Sequence, residues 1–289
     1  MIPESPHAPE RLGRPERRDQ PMRERLLNEV LLHVAAQLRT ALGGMHIAVS
    51  RLAPPDRRDR DAVLDRDAAL LNRNYYSLLR LANNLSNAPM LLSDQRLLKE
   101  NTDVVEWLAG LCRQAEPLFA LRSVTLTFQC SVEHHTAAIH RDCLEQAVWN
   151  LLSNALKFTP DGGTVTVSLR LGHRQVLLTV ADTGCGIPAG AMETVFDGYL
   201  HPERLAALPC GLGLGLPLCR RIAEGHGGRM VLDSRPDQGT SVTLALPDEM
   251  AADTVEDVQF DYAGGFQPAL VGLADALPYQ AFLQKHSDD

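Results

Sequence analysis

Two long apolar stripes open the chain. Leu27, Leu31, Val34, Leu38, Ala41, Met45, Ala48 and Leu52 recur at alternating spacings of four and three, the period of a helix with a heptad seam. Pro54-Pro55 and the charged run Asp56 to Asp61 end that helix. A second stripe follows at Leu64, Ala68, Leu71, Tyr75, Leu78, Ala82 and Leu85, and Pro89 closes it. Two such helices joined by a short polar turn predict an antiparallel hairpin. A lone hairpin leaves much of its seam in water. Pairing with a second copy into a four-helix bundle relieves that, and packing on the next domain is the monomeric alternative.

From about residue 100 the pattern shortens into strands alternating with helices. Val104 to about Leu121 reads as a helix and Val124 to Phe128 as a strand. Leu144 to Phe158 is a helix with one apolar face. Gly163 to Leu169 and Gln175 to Val180 alternate as two antiparallel strands joined through Gly172-His173. Leu216 to Glu224 is a helix stopped by Gly225 and Gly227-Gly228. Arg229 to Leu232 and Thr240 to Leu246 supply two further strands. The expected fold class is α+β, a helical-hairpin dimerisation domain followed by a sandwich of helices on a mostly antiparallel sheet.

Composition sets the ends. Four prolines among mixed charges, with Pro21 just beyond, make residues 1–20 a tail that cannot bury a core. The hairpin takes 21–95 and the sandwich 100–248. Residues 249–289 form an acidic, then aromatic and glycine-rich tail, with a short docking segment expected from Pro268 to Phe282. A net charge of −8 argues against a nucleic-acid surface. None of the six cysteines forms a C-x-x-C pair, which removes zinc-ribbon and thioredoxin-like readings. No apolar run reaches the ~20 residues of a membrane span, and no signal peptide opens the chain. A cytoplasmic protein without a membrane-spanning sensor is the expectation.

Candidate chemistry lies in three pieces of the sandwich. Asn150 and Asn154 are four apart and Lys157 three further on, so all three share one helix face. Two amides inside an otherwise apolar helix need partners, which distinguishes them from solvated surface residues. Asp182-Thr-Gly184-Cys-Gly186 puts a carboxylate on a glycine-flanked turn able to read a base. Gly211-Leu-Gly213-Leu214-Gly215 opens a helix and lets backbone N–H groups approach an anion.

In this order, the motifs resemble those of the ATP-binding domain of bacterial sensor histidine kinases, in the superfamily that includes Hsp90 and DNA gyrase. The resemblance rests on Asn150 to Phe158, Asp182 to Pro188, a short Val195-Phe196-Asp-Gly-Tyr199 motif, Gly211 to Leu216, Gly239-Thr240 and Leu246-Pro247. It implies a protein histidine kinase of two-component signalling, whose family reaction is ATP-dependent phosphorylation of a protein histidine and relay to a response regulator, and that ATP and Mg²⁺ bind here. Asn154 would hold the metal and Asn150 would assist with metal and phosphates. Lys157 would face phosphate, Phe158 would pack on the base and Asp182 would accept from the adenine amine. Gly184, Gly186, Gly211, Gly213, Leu214 and Gly215 would shape the cradle, Thr240 would stand near the adenine carboxylate, and Pro188 to Pro209 would form a lid. Superfamily ATPases carry a general-base glutamate four residues before the metal asparagine. Here Asn150 stands there, which suits the branch that spares ATP from hydrolysis.

The hairpin departs from the family. Its trace, Gln37-Leu38-Arg39-Thr40-Ala41-Leu42, puts Ala36 where the acceptor histidine belongs and Gln37 where an acid belongs. His33 lies one turn earlier as a displaced acceptor, ~5 Å away along the axis. Thr40 matches the position of the family's phosphatase residue, and Gln37 and Thr40 are side chains that could set a water against a phospho-aspartate of a response regulator receiver domain, as a phosphatase or decoy would. Transfer to a histidine on a partner kinase, or an ATP-gated interaction protein with no transfer, are the remaining readings.

Overall fold

The computed structural model describes residues 20–87, 97–188, 190, 195, 213–252 and 266–284, with side chains from residue 29 onward. The N-terminal tail, most of the expected lid and Gly211 therefore lie outside the described residues.

The hairpin comprises α1 (Gln20–Leu52), the short α2 (Pro55–Arg58) and α3 (Ala62–Asn87). Pro54 and Pro55 stop α1 and start α2, since Pro55 occupies a first-turn position where no N–H is needed. Asp61 then caps α3, its Oδ1 accepting from Val63 N and Leu64 N.

The packing face of α1 differs from the apolar stripe read in the sequence. Ala35, Leu42 and Ala53 are buried, with His46 and Val49 half-buried between them. Val34, Leu38, Met45 and Leu52 instead turn outward with 40–72% of their surface exposed. On α3 the stripe divides: Ala68, Tyr75 and Ala82 go inside while Leu71 and Leu78 stay exposed. Each helix thus carries two apolar faces. The chain itself covers one, so periodicity alone was ambiguous between them.

The remainder is a two-layer α+β sandwich. A small ladder pairs β1 (Glu100–Asp103) with β3 (Thr136–Ile139) antiparallel. Neither strand stands out in the sequence pattern, because each is four residues long. Asp103 ends β1 and caps α4 (Val104–Ala120) through Val105 N and Glu106 N. The main sheet runs in the order β2 (Thr125–Cys130), β4 (Thr164–Gly172), β5 (Gln175–Asp182), β7 (Gly239–Pro247), β6 (Arg229–Arg235). Among the described residues only the β2–β4 pair is parallel.

Alternation puts Val165, Val167 and Leu169 of β4, Val176, Leu178 and Val180 of β5, and Val242, Leu244 and Leu246 of β7 on one buried face. The helices α5 (Arg141–Phe158) and α6 (Gly215–Gly225) share that hydrophobic core. The opposite face carries threonines that pair across strands, Thr127 with Thr166 and Thr179 with Thr243.

The C-terminal segment takes part in the same core. Helix α7 (Pro268–Leu273) and a 3-10 turn (Tyr279–Phe282) pack against α3, α4 and α5. Phe266 lies in an aromatic cluster with His46, Tyr75 and Tyr76, and the Phe282 ring lies tilted against Tyr76 with centroids 5.3 Å apart. The buried guanidinium of Arg58 donates to the Phe282 carbonyl at 2.8 Å and pairs with Asp65. Trp149 of α5 sits directly on Gly272, where any β-carbon would fall 2.6 Å from its indole. The segment expected to dock thus bridges the hairpin and the sandwich.

Candidate nucleotide site

The site is assembled at one end of the sheet, around the C-termini of β5 and α5. Asp182 closes β5 and pairs in register with Thr240 of β7. Its Oδ1 accepts from Gly184 N at 2.8 Å and Thr240 N at 3.2 Å. Burial raises the Asp182 pKa, and those two N–H groups oppose the rise. Among the described residues Oδ2 takes no protein hydrogen bond, so one carboxylate oxygen is left for an amine donor.

The loop after Asp182 crosses the end of α5. Cys185 N donates to the Phe158 carbonyl at 3.3 Å, and a β-carbon at Gly184 would collide with that same carbonyl. At Gly186 the backbone turns to φ +66°, and a side chain would strike the Arg235 carbonyl. Both glycines are therefore required by close backbone approach. Ser234 holds the loop from β6: its Oγ accepts from Ile187 N at 2.8 Å and lies 2.9 Å from Thr240 Oγ1. The Thr240 hydroxyl is thus committed to Ser234, and its backbone N–H is what reaches Asp182. Sequence reasoning missed Ser234, a serine in a strand with no motif around it.

Helix α5 supplies the second wall. Asn154 and Lys157 are half-buried, Phe158 is half exposed, and the Lys157 ammonium lies 5.4 Å from the Phe158 ring centroid. Asn150 is 0% exposed and stands beside the start of α6, where a β-carbon on Gly215 would be 3.7 Å from its Cγ. Gly213 has φ +66°, and Leu214 begins α6 without any side-chain cap.

Arg80 meets Asn150 and joins it to Ser153 and Asp275, and none of the three was signalled by a motif. Arg80 of α3 donates from Nη2 to Asn150 Oδ1 at 3.2 Å. From Nη1 it donates to Ser153 Oγ at 2.6 Å and to Asp275 Oδ2 at 3.1 Å. Asn150 Nδ2 and Arg80 Nε are buried without a hydrogen-bond acceptor. Asn150 Oδ1 faces a guanidinium, which disfavours a second cation at that oxygen. Of the two amides expected at a metal, Asn154 has the freer carbonyl. Glu145 accepts from the Trp149 indole at 3.2 Å and is not placed as a base beside Asn154.

These residues fit a nucleotide. The open Asp182 oxygen suits an exocyclic amine, a glycine-lined loop admits a flat base, and buried N–H donors without acceptors suit an anion.

The residues expected on the hairpin stand apart from this group. His33, Ala36, Gln37 and Thr40 are all exposed on α1. Gln37 Nε2 lies 2.9 Å from His33 Nε2, and Thr40 Oγ1 donates to the Ala36 carbonyl. Both interactions are local to one helix.

Residues 139–250 match the family described as histidine kinase-, DNA gyrase B-, and HSP90-like ATPase, and this part of the chain is a domain of that family. The chain is homologous to bacterial sensor histidine kinases. It is 29% identical to the adaptive-response sensory kinase SasA of Synechocystis sp. over 229 residues, covering 76% of this chain and 59% of that one. It is 30% identical to the alginate biosynthesis sensor protein KinB of Pseudomonas aeruginosa over 230 residues, 78% of this chain and 37% of that one. It thus spans between about a third and three fifths of the length of these relatives.

The fold is shared with full-length ShkA in complex with AMPPNP, with a TM-score of 0.60 at 23% identity, over 78% of this chain and 47% of that one. It is shared too with the histidine kinase ThkA in complex with response regulator protein TrrA, with a TM-score of 0.52 at 21% identity, over 81% and 65%. No helix among the described residues is long and apolar enough to cross a membrane.

Proposed function

We propose that this chain binds Mg-ATP between α5 and the β5–α6 side of the sandwich and serves two-component signalling, without using its own hairpin as the phosphate acceptor. The single observation behind the nucleotide reading is Asp182. Its Oδ1 is fixed by Gly184 N and Thr240 N while its other oxygen stays open. In this reading Asn154 holds Mg²⁺ and Lys157 faces phosphate. Phe158 covers the base, and Gly184, Gly186, Gly213, Leu214 and Gly215 line the path. Bound magnesium would offset phosphate charge. The chain's own residues orient the nucleotide and keep bulk water from it.

The acceptor reading follows from chemistry at one position. Ala36 has no nucleophile, and the neighbouring Gln37 is neutral and hydrogen-bonded to His33. Phosphoryl transfer needs reacting atoms within about 3–3.5 Å, which a histidine one turn away does not satisfy for a site built around position 36. The hairpin then serves as a docking face for a response regulator receiver domain. Gln37 and Thr40 would exchange their contacts within α1 for a water set against a phospho-aspartate, and a histidine on a partner kinase is the alternative destination for phosphate. The outward stripe of Val34, Leu38, Met45 and Leu52 supports pairing of two hairpins into a homodimer. A site for ATP operates where ATP is abundant, in the cytoplasm.

Incubation with labelled ATP and Mg²⁺ tests this. The protein alone should take up no acid-labile phosphate, yet should bind the nucleotide. Phospho-receiver should lose its label faster with wild type than with Thr40→Ala. Label on His33, lost in His33→Ala, would overturn the acceptor reading.

A further inference from the structure

We infer that Arg80, a residue of the hairpin, completes the phosphate side of the nucleotide site. This rests on the Mg-ATP reading above and extends it to a residue outside the ATPase domain. Arg80 lies near the end of α3, 6% exposed, with its guanidinium carried into the sandwich as far as Asn150 and Ser153.

Two independent features point to an anion beside it. Helix α6 spans 11 residues and begins at Gly215 with no side-chain cap from Leu214, and a β-carbon on Gly215 would lie 3.7 Å from Asn150 Cγ, so the uncapped N–H groups of Gly215 and Leu216 start beside the Asn150 amide. In addition, Arg80 Nε and Asn150 Nδ2 are N–H donors buried without acceptors, and they belong to side chains already bonded to each other. A buried donor left unmade costs free energy, and two such donors at one junction with an uncapped helix start call for one shared, oxygen-rich anion. The fork of a guanidinium suits phosphate: Nε–H and one Nη2–H lie side by side, while both Nη1 hydrogens are spent on Ser153 and Asp275.

Asp275 belongs to the C-terminal segment and holds Arg80 from the opposite side. Hairpin, tail and ATP-site helix therefore converge on one guanidinium. Nucleotide phosphates would engage a side chain of α3 directly, and the hairpin would register whether the nucleotide is bound and how many phosphates it carries.

The test is a titration of the full chain with ATP, ADP and adenosine in the presence of Mg²⁺, for wild type, Arg80→Gln, Arg80→Lys and Asp275→Asn. Arg80→Gln should weaken ATP by at least about tenfold and leave adenosine within about twofold, as loss of a charge-assisted bond to phosphate requires. Arg80→Lys, keeping charge but not the fork, should fall between. Asp275→Asn should bind ATP as tightly as wild type or tighter.

Wild-type ATP affinity in Arg80→Gln overturns this assignment alone. So does a loss shared equally by ATP and adenosine, or by Asp275→Asn, since either marks a brace rather than a phosphate ligand. Failure of the wild type to bind ATP overturns the nucleotide reading beneath it as well.

Discussion

Helices α5 and α1 carry polar residues under opposite constraints. On α5, Gln146, Asn150 and Ser153 are buried and each is bonded to a side chain of α3. On α1, His33, Ala36, Gln37 and Thr40 are exposed and bonded only along their own helix. A buried amide must find partners or the fold loses stability, whereas an exposed position changes at little cost. A histidine can therefore vanish from position 36 without disturbing the hairpin, while the apparatus around Asp182 and Asn150 is held by its neighbours.

The largest effect that separates the two helices is expected at Trp149. It is fully buried against α7, so Trp149→Ala should lower stability by about 3–5 kcal/mol. The outward Leu38→Ala should cost under about 1 kcal/mol within a single chain. Urea denaturation of both variants measures the contrast. Equal losses would mean that the tail does not seal α5.

Acid should strain the sandwich before the hairpin. His226 is buried behind α6, with Nε2 accepting from His140 N and Nδ1 donating to the Ile222 carbonyl. Burial holds its pKa down at about 4, against an ordinary 6.5. The unfolded chain therefore takes a proton that the folded chain refuses. The resulting stability is fully present above pH 6.5 and is lost as pH falls towards 4, by roughly 3 kcal/mol. Stability measured across that window should slope upward with pH, and His226→Gln, though less stable at pH 8, should flatten that part of the slope.

Crowding the close contact between α5 and the tail comes next. Gly272→Ala pushes a methyl into the Trp149 ring and should cost about 1–3 kcal/mol by thermal melting. At the far end of the scale stands Ala36→His, expected to shift stability by less than about 0.5 kcal/mol because the site is exposed. Combined with Gln37→Glu it should introduce acid-labile labelling that the parent chain lacks. Labelling of the parent would erase the proposed difference between the helices.

The same contrast governs what could be read from the sequence. The order of helices and main-sheet strands follows from periodicity, because one face of each strand is buried and the glycine stops are sharp. Asp182, Gly184 and Gly186 were legible because backbone crowding admits few other residues there. The face of α1 was not, since Ala35 and Leu42 inside and Leu38 and Met45 outside give the same spacing. Arg80, Ser153, Ser234 and Asp275 were invisible for another reason. Their partners are 5 to 195 positions away, and nothing local in a helix or strand marks a residue for such a contact.

In the proposed function, amide, carboxylate and glycine groups around α5 grip a magnesium-bound nucleotide. Titration of a fluorescent ATP analogue against wild type and Asn154→Ala, with and without Mg²⁺, addresses it directly. Saturable, magnesium-dependent binding that Asn154→Ala abolishes is the predicted result. No saturation at millimolar nucleotide, or binding indifferent to both magnesium and Asn154, would contradict it.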